Sequence, residues 1–132
     1  MLSSMTPTIV ENPEGDLFLI LGSPGGSTII TTVAQIFLNI IEKKMDIKNA
    51  VEKPRFHHQW LPDAIYFEAY DFENEILNLL EARGHNIVYR RKIGEANCIK
   101  ITNLEGIDKV KNYKKIYLGA ADSRKNASAV AY

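Results

Sequence analysis

Apolar runs and polar breaks alternate along the chain, and the runs follow two different periods. Thr8-Ile9-Val10-Glu11 and Leu17-Phe18-Leu19-Ile20-Leu21 are short apolar segments separated by Asn12-Pro13-Glu14-Gly15-Asp16, a cluster of turn-forming residues. They predict a β-hairpin. The second run enters Gly22-Ser23-Pro24-Gly25-Gly26-Ser27, and an apolar-rich segment from Thr28 to Ile41 leaves it. Within that segment Ile29, Val33, Ile36, Phe37 and Ile40 fall at helical spacing, and Ile30, Leu38 and Ile41 widen the stripe. The pattern predicts a strand, a tight glycine turn, and a helix capped by Ser27 and buried on most sides. Glu42-Lys43-Lys44 returns the chain to the surface.

Asp46 is the expected N-cap of a second, shorter helix that ends near Glu52, with Pro54 as its stop. Pro54 to Asp63 has no period and is bounded by two prolines, so an ordered loop is expected there. Ile65 to Glu68 reads as a strand. Glu73 to Arg83 reads as an amphipathic helix with Ile76, Leu79 and Leu80 inward and Gly84 at the C′ position. Asn86 to Arg91, Ala96 to Thr102 and Ile116 to Gly119 read as three further strands. The polar, lysine-rich stretch from Asn103 to Lys115 is expected to be a surface excursion, and Asp122 to Tyr132 a tail without regular structure. No internal repeat or linker divides the chain, and 132 residues suffice for one core and one domain.

Composition removes several classes of function. The 16 basic and 16 acidic residues balance, so there is no electrostatic footprint for nucleic acid or an anionic membrane. The single cysteine, Cys98, cannot form an internal disulfide. No apolar run reaches the ~20 residues that a spanning helix needs. Met1-Leu2-Ser3-Ser4-Met5 lacks a basic n-region and an apolar h-region, so no export signal is expected in this chain itself.

Four constellations are candidates for chemistry. Gly25 and Gly26 leave no Cβ in the way of a ligand and accept positive φ. Their amides, beside the positive end of a helix, suit a carboxylate, a phosphate or a developing oxyanion. A plain connector has the same pattern, so the glycines alone leave both readings open. His57-His58 suggests a metal site, but adjacent residues of an extended segment point to opposite sides and no Cys or acid stands at ligand spacing. Packing within a loop is expected instead, with no metal and no cofactor. Ser3-Ser4 offers two hydroxyl donors able to hold a carboxylate, although such a pair near a terminus is ordinarily just solvated. Thr31-Thr32 lies inside the expected helix with no nearby partner in sequence to act as base, so a structural role is expected.

Four blocks, in order, change these weights: Leu2-Ser3-Ser4-Met5-Thr6-Pro7-Thr8-Ile9, Gly22-Ser23-Pro24-Gly25-Gly26-Ser27, Ile29-Ile30-Thr31-Thr32-Val33 and Pro54-Arg55-Phe56-His57-His58-Gln59-Trp60-Leu61-Pro62. Together they resemble γ-glutamyltranspeptidase, also called glutathione hydrolase. The resemblance covers essentially the whole chain and weakens after Gly84. Gly119-Ala120-Ala121-Asp122-Ser123-Arg124 resembles the family's closing block, with Ser123 where the family usually has proline.

The resemblance implies an α+β chain that forms part of an N-terminal-nucleophile hydrolase, a four-layer αββα sandwich. It implies a precursor that cuts itself into a large and a small subunit, exposing a threonine whose own α-amine serves as base. That threonine attacks the γ-glutamyl amide of glutathione, and the acyl group passes to water or to an amino-acid or peptide acceptor. By matching position, Ser3 and Ser4 correspond to the pair that binds the α-carboxylate of the γ-glutamyl group. Gly25 and Gly26 correspond to the glycines whose amides form the oxyanion hole. No catalytic role is carried onto Pro54 to Pro62.

The family's nucleophilic threonine lies upstream of the Ser-Ser pair, and Met1 stands where the family usually has proline. Residues 1–132 are therefore expected to be the C-terminal portion of a small subunit without the nucleophile, inactive alone. Its expected partners are the upstream small-subunit segment and the large subunit. The resemblance places the enzyme in the periplasm or outside the cell. A fragment, an interrupted gene product and one half of a split enzyme all remain open. A non-catalytic remnant, or a small-anion-binding module that keeps the turn, is the alternative function.

Overall fold

The computed structural model of the protein describes residues 5–70, 72–103, 115–125 and 128–130. Strand β1 (Thr8–Glu11) turns back into β2 (Leu17–Gly22) with Ile9 opposite Ile20. The turn is closed by the Asn12 side chain, whose Oδ1 accepts from the Asp16 amide at 2.7 Å, and Gly15 takes φ 82°. A single turn of 3-10 helix (Gly26–Thr28) leads into helix α1 (Ile29–Ile41). Helix α2 (Ile47–Glu52) follows, and its N-cap Asp46 accepts from the Asn49 amide at 3.0 Å. Next come β3 (Phe56–His57), β4 (Ile65–Glu68), α3 (Asn74–Ala82), β5 (Ile87–Arg90), β6 (Asn97–Asn103) and β7 (Lys115–Ala121).

Two sheets result. The larger is antiparallel, in the order β1-β2-β6-β7, and the smaller joins β3, β4 and β5, with β4 and β5 parallel. Strand alternation gives the larger sheet two faces. Leu19 and Leu21 on β2, Cys98 on β6 and Ala120 on β7 share the inner face, as their pairing shows. Helices α1 and α2 cover that face and pack on each other. The core is therefore Leu19, Leu21, Cys98 and Ala120 from the sheet, with Ile36, Ile40, Ile47, Ala50 and Val51 from the helices. Burial pushes the Cys98 thiol up to about 12, which keeps it protonated and unreactive at neutral pH.

The expected α+β elements are present, a short strand, β3, stands inside the Pro54–Asp63 segment expected to be a loop, and four other details differ. Ser27 does not cap α1. It lies within the 3-10 turn, Thr28 precedes the helix, and the Thr28 hydroxyl turns back to the Gly25 carbonyl at 3.0 Å. Helix α1 is not buried on most sides. Its inner stripe is Ile29, Thr32, Ile36, Asn39 and Ile40, while Ile30, Ala34 and Leu38 form an apolar outer stripe with Ile30 73% exposed. On α3 the buried residue is Leu77, and Ile76 and Leu79 are exposed, because that helix packs on β5 by one narrow face. The segment after Asp122 is not simply a tail. Asp122 and Arg124 are buried, held by charge rather than by the apolar periodicity that sequence patterns reveal. The excursion expected after Asn103 falls on residues 104–114, outside the described residues.

Because Ile36 and Ile40 are almost wholly buried, Ile36→Ala or Ile40→Ala is expected to cost ~2–5 kcal/mol. Denaturant melts check this. A loss under about 0.5 kcal/mol is the result to be expected of a helix whose inner stripe does not carry the core.

Candidate functional site

The glycine turn begins where β2 ends. Ser23 is fully buried, and it ties the turn to two distant segments. Its amide donates to the Met5 carbonyl at 3.1 Å, and its hydroxyl oxygen accepts from the Glu95 amide at 3.0 Å. Gly25 has φ 141° and Gly26 has φ 60°. A Cβ on Gly25 would lie 2.5 Å from the Thr28 hydroxyl, so glycine is required there by the turn itself. A Cβ on Gly26 would meet nothing within 4 Å. That side of the turn is open to an approaching molecule. Among the described residues, the Gly25 and Gly26 amides donate to no acceptor, as expected of N–H groups at the start of a helix.

Gly94 supports the turn from beneath. It has φ 68°, and a Cβ there would stand 2.3 Å from Oγ1 and 2.8 Å from Cγ2 of Thr32 and 3.0 Å from Oγ of Ser23. The short segment Ile93–Ala96 is gripped at both ends by buried charges. The Ile93 amide donates to Glu68 Oε1 at 2.7 Å, and the Ile93 carbonyl accepts from Arg55 Nη1 at 2.9 Å. The Ala96 amide donates to Asp122 Oδ2 at 2.7 Å.

These acids are themselves paired. Arg55 Nη2 donates to Asp122 Oδ2 at 2.9 Å, Arg124 Nη1 to Asp122 Oδ1 at 3.1 Å, and Arg124 Nε to Glu68 Oε1 at 2.6 Å, with a second bond from Arg124 Nη2 to Glu68 Oε2. Arg55 Nη2 and Arg124 Nη1 also donate to the Val51 carbonyl, and Arg124 Nη2 to the carbonyls of Glu52 and Lys53. The C-terminal carbonyls of α2, which have no partner within the helix, thus find cationic partners. Burial alone would raise the Asp122 pKa, but Arg55 and the amides of Ala96 and Arg124 hold it below the ordinary value. Burial beside Arg124 lowers the Arg55 pKa. Burial would lower that of Arg124 too, but Glu68 and Asp122 outweigh it and raise it. Among the described residues, Arg55 Nε and Thr32 Oγ1 are buried polar atoms with no hydrogen-bond partner.

The loop after Pro54 is braced against α1. The buried His57 ring has Nδ1 2.9 Å from the Thr31 hydroxyl and Nε2 3.0 Å from Gln59 Oε1. Gln59 Nε2 donates to the Leu61 carbonyl, which orients its Oε1 as acceptor. The Thr31 hydroxyl itself donates to the Thr28 carbonyl at 3.1 Å. Thr31 has a ring nitrogen within reach after all, 26 residues away, which the sequence expectation missed. His57 is 2% exposed, so the pair works as a brace between loop and helix. His58 turns outward toward Asp63, and the two histidines share no site. Among the described residues no cluster of three His, Cys, Asp or Glu is placed to hold a metal. Ser3 and Ser4 lie outside the described residues.

Compared with known proteins, the sequence matches gamma-glutamyltranspeptidase over residues 1–132. The chain belongs to that family. The glutathione hydrolase proenzyme of Escherichia coli K12 is 45% identical over 100 residues, covering 76% of this chain and 17% of the relative. That of Pseudomonas sp. A14 is 35% identical over 127 residues, covering 95% and 21%. The crystal structure of a Helicobacter pylori γ-glutamyltranspeptidase mutant superposes with a TM-score of 0.82 at 40% identity, covering 94% of this chain and 62% of that one. The chain thus spans about a fifth of the length of these two curated relatives. The α+β class and the γ-glutamyltranspeptidase fold, an N-terminal-nucleophile hydrolase sandwich, are borne out.

Of the candidates, the fold brings Gly25 and Gly26 to the head of α1 and joins Met5 to the same turn. Sequence reasoning missed the parts contributed by Ser23, Arg55, Glu68, Gly94, Asp122 and Arg124. Only the presence of Ser23, Arg55, Asp122 and Arg124 inside the recognised blocks pointed toward any of them.

Two outcomes are expected. Gly94→Ala must either displace Thr32 or shift the turn, so it is expected to cost about 1–3 kcal/mol in a denaturant melt, whereas Gly15→Ala, whose Cβ meets nothing, costs only its backbone strain. Equal losses for the two would contradict the support role of Gly94. Asp122 has a depressed folded pKa, so its stabilisation is complete above the unfolded pKa and is lost as pH falls through the lower folded value. Melts between about pH 5 and pH 2 are expected to show a steeper acid loss in the parent than in Asp122→Asn. Matching slopes would mean that Asp122 is not held as the charged partner of Arg55.

Proposed function

We propose that this chain supplies the oxyanion-binding turn, and part of the substrate site, of an enzyme that transfers or hydrolyses γ-glutamyl groups, with glutathione as donor. The observation that carries the reading is the glycine turn: two adjacent amides without acceptors among the described residues, with open space beside Gly26. In the proposed reaction a threonine hydroxyl from the upstream small-subunit segment adds to the γ-glutamyl carbonyl, and its own α-amine takes the proton. Negative charge develops on the carbonyl oxygen, where the Gly25 and Gly26 amides are strongest as donors. The amide C–N bond then breaks, the leaving amine takes the proton, and water or an amino-acid or peptide acceptor releases the acyl group.

Ser3 and Ser4 are the proposed donors to the α-carboxylate of the γ-glutamyl group. The hydrogen bond from Ser23 to the Met5 carbonyl supports this, because Met5 follows them directly in the chain. The apolar residues left exposed on both sides of the fold, Ile9 and Ile99 on the sheet and Ile30 and Leu38 on α1, are the proposed seats for the rest of the small subunit and for the large subunit. Among the described residues no helix is long and apolar enough to cross a membrane, and a periplasmic or extracellular enzyme remains the proposal from the resemblance.

Assays with a γ-glutamyl anilide test the reading. The 132-residue chain alone is expected to give no turnover. Co-expressed with the upstream threonine-bearing segment and the large subunit, it is expected to be active. In that assembly Gly26→Val, whose β-branched side chain does not suit φ 60° and so shifts the amide out of place, is expected to lower kcat by up to the ~2.7–4 kcal/mol typical of one lost oxyanion donor. Replacing Ser3 and Ser4 by Ala is expected to raise KM by an amount equivalent to about 1.5–3 kcal/mol. Unchanged kcat in a folded Gly26→Val assembly would reduce the turn to a connector. An inactive but stably associated assembly would favour the non-catalytic remnant.

A further inference from the structure

The loop after β3 ends in a tip that the rest of the chain leaves uncovered. Trp60, the chain's single tryptophan, is 76% exposed, and Leu61 is 62% exposed. The backbone beneath them is nevertheless tightly held. Trp60 has φ 72°, a region that bulky side chains avoid. The Leu61 amide donates to the Gln59 carbonyl at 3.0 Å, which makes Trp60 the centre of a γ-turn of the rare, strained kind. The Gln59 side chain locks this turn, with Nε2 donating to the Leu61 carbonyl at 2.9 Å and Oε1 3.0 Å from Nε2 of the buried His57 ring. The chain is thus bent against its preference and fixed there, and the outcome is an indole ring held out into solvent. Backbone strain persists where the placing of a side chain matters. Among the described residues no other ring packs on Trp60, so nothing inside the fold uses that placing.

The tip continues an apolar surface. Thr31 meets the His57 ring and Gln35 bonds Phe56, so β3 lies along the Thr31–Gln35 line of α1. The outer stripe Ile30, Ala34 and Leu38 is the adjoining line of the same helix, and Phe56 is exposed as well. The edge of β3 is not free to pair with another strand at Phe56. The Gln35 amide takes up both its N–H, at 3.1 Å, and its carbonyl, at 2.7 Å. The surface therefore offers side chains rather than main chain, with one rigid aromatic group beside aliphatic ones. Interface anchors have this composition.

We propose that Trp60 and Leu61 anchor this chain to the large subunit, by entering an apolar recess on that subunit's surface. The inference rests on the reading of the chain as part of a two-subunit γ-glutamyl enzyme, and it states which subunit covers this side of the fold. Two observations favour that occupant. The chain covers 62% of the matched Helicobacter pylori chain but only about a fifth of the curated proenzymes, so most of the surface that a complete enzyme adds belongs to the other subunit. The upstream small-subunit segment joins the chain at β1, the edge strand of the larger sheet, whereas the tip lies between β3 and β4 of the smaller one.

The test uses the assembled enzyme. With the photo-cross-linker p-benzoylphenylalanine in place of Trp60, irradiation is expected to join the two subunits into one band. Mass spectrometry of the joined peptides is expected to place position 60 against apolar residues of the large subunit. A cross-link confined to the small subunit, a cross-link between two copies of this chain, or no cross-link overturns the inference. Trp60→Gly removes the ring and suits φ 72°, so the loop keeps its course and the effect reports the side chain. It is expected to weaken subunit association roughly tenfold or more, as for an interface anchor, read from the dilution at which the subunits separate. Trp60→Phe is expected to keep part of the affinity, and Leu61→Ser to lose less than Trp60→Gly. Unchanged association in Trp60→Gly also overturns the inference. Any of these failures leaves the γ-glutamyl reading standing when the parent assembly turns over a γ-glutamyl anilide. A parent whose subunits neither associate nor turn over the anilide overturns that reading and this inference together.

Discussion

The fold depends on four buried charges that satisfy one another: Arg55, Glu68, Asp122 and Arg124. Two cations and two anions make the group formally neutral. Each acid accepts from at least one arginine and at least one backbone amide. Such a group is not a simple gain in stability, because desolvation offsets much of the Coulomb attraction. Its consequence is geometric. Losing one partner leaves a charge buried without compensation, which typically costs ~3–5 kcal/mol, so the four residues are ordered together or not at all. They come from the residue before β3, the end of β4 and the segment after β7. The network therefore fixes the smaller sheet, helix α2 and the last described turn of the chain relative to the larger sheet.

That constraint reaches the glycine turn through one short segment. Glu68 and Arg55 hold Ile93, and Asp122 holds Ala96. Between them Gly94 lies against Thr32 and Ser23, and the Glu95 amide donates to the Ser23 hydroxyl. The turn is thus braced from beneath by a segment with little freedom to move, while its outer side at Gly26 stays open. An oxyanion site works by having its donors in place before the charge appears. In this chain the donors are backbone amides, so their placement depends on the backbone, and the backbone depends on charges in strands far along the sequence.

The periodic elements were legible in the sequence for the ordinary reason that they bury apolar side chains at fixed spacing. The hairpin at Asn12–Asp16, helix α2 behind Asp46 and the termination of α3 at Gly84 follow local rules that need no partner. The glycine turn was legible as a turn, and its chemical role only by resemblance. The misses have a common cause. Ile30, Leu38, Ile76 and Leu79 read as core because periodicity counts apolar residues without knowing which faces are covered. Asp122 and Arg124 read as tail because a buried ion pair has no period, and its partners, Arg55 and Glu68, lie more than fifty residues earlier. The Thr31–His57 contact was invisible for the same reason, since 26 residues separate its ends.

Amide hydrogen exchange in the assembled protein tests the central claim most directly, namely that the buried charges hold the segment beneath the turn. The amides to compare are Ile93, Glu95 and Ala96, which donate to Glu68, Ser23 and Asp122, and the core amides of β2. If the charges and the core form one cooperative unit, the three amides exchange only in the global opening and are as protected as those of Leu19 and Leu21. In Asp122→Asn they lose protection together. Fast local exchange at Ile93 and Ala96 in the parent, with β2 still protected, would contradict the account.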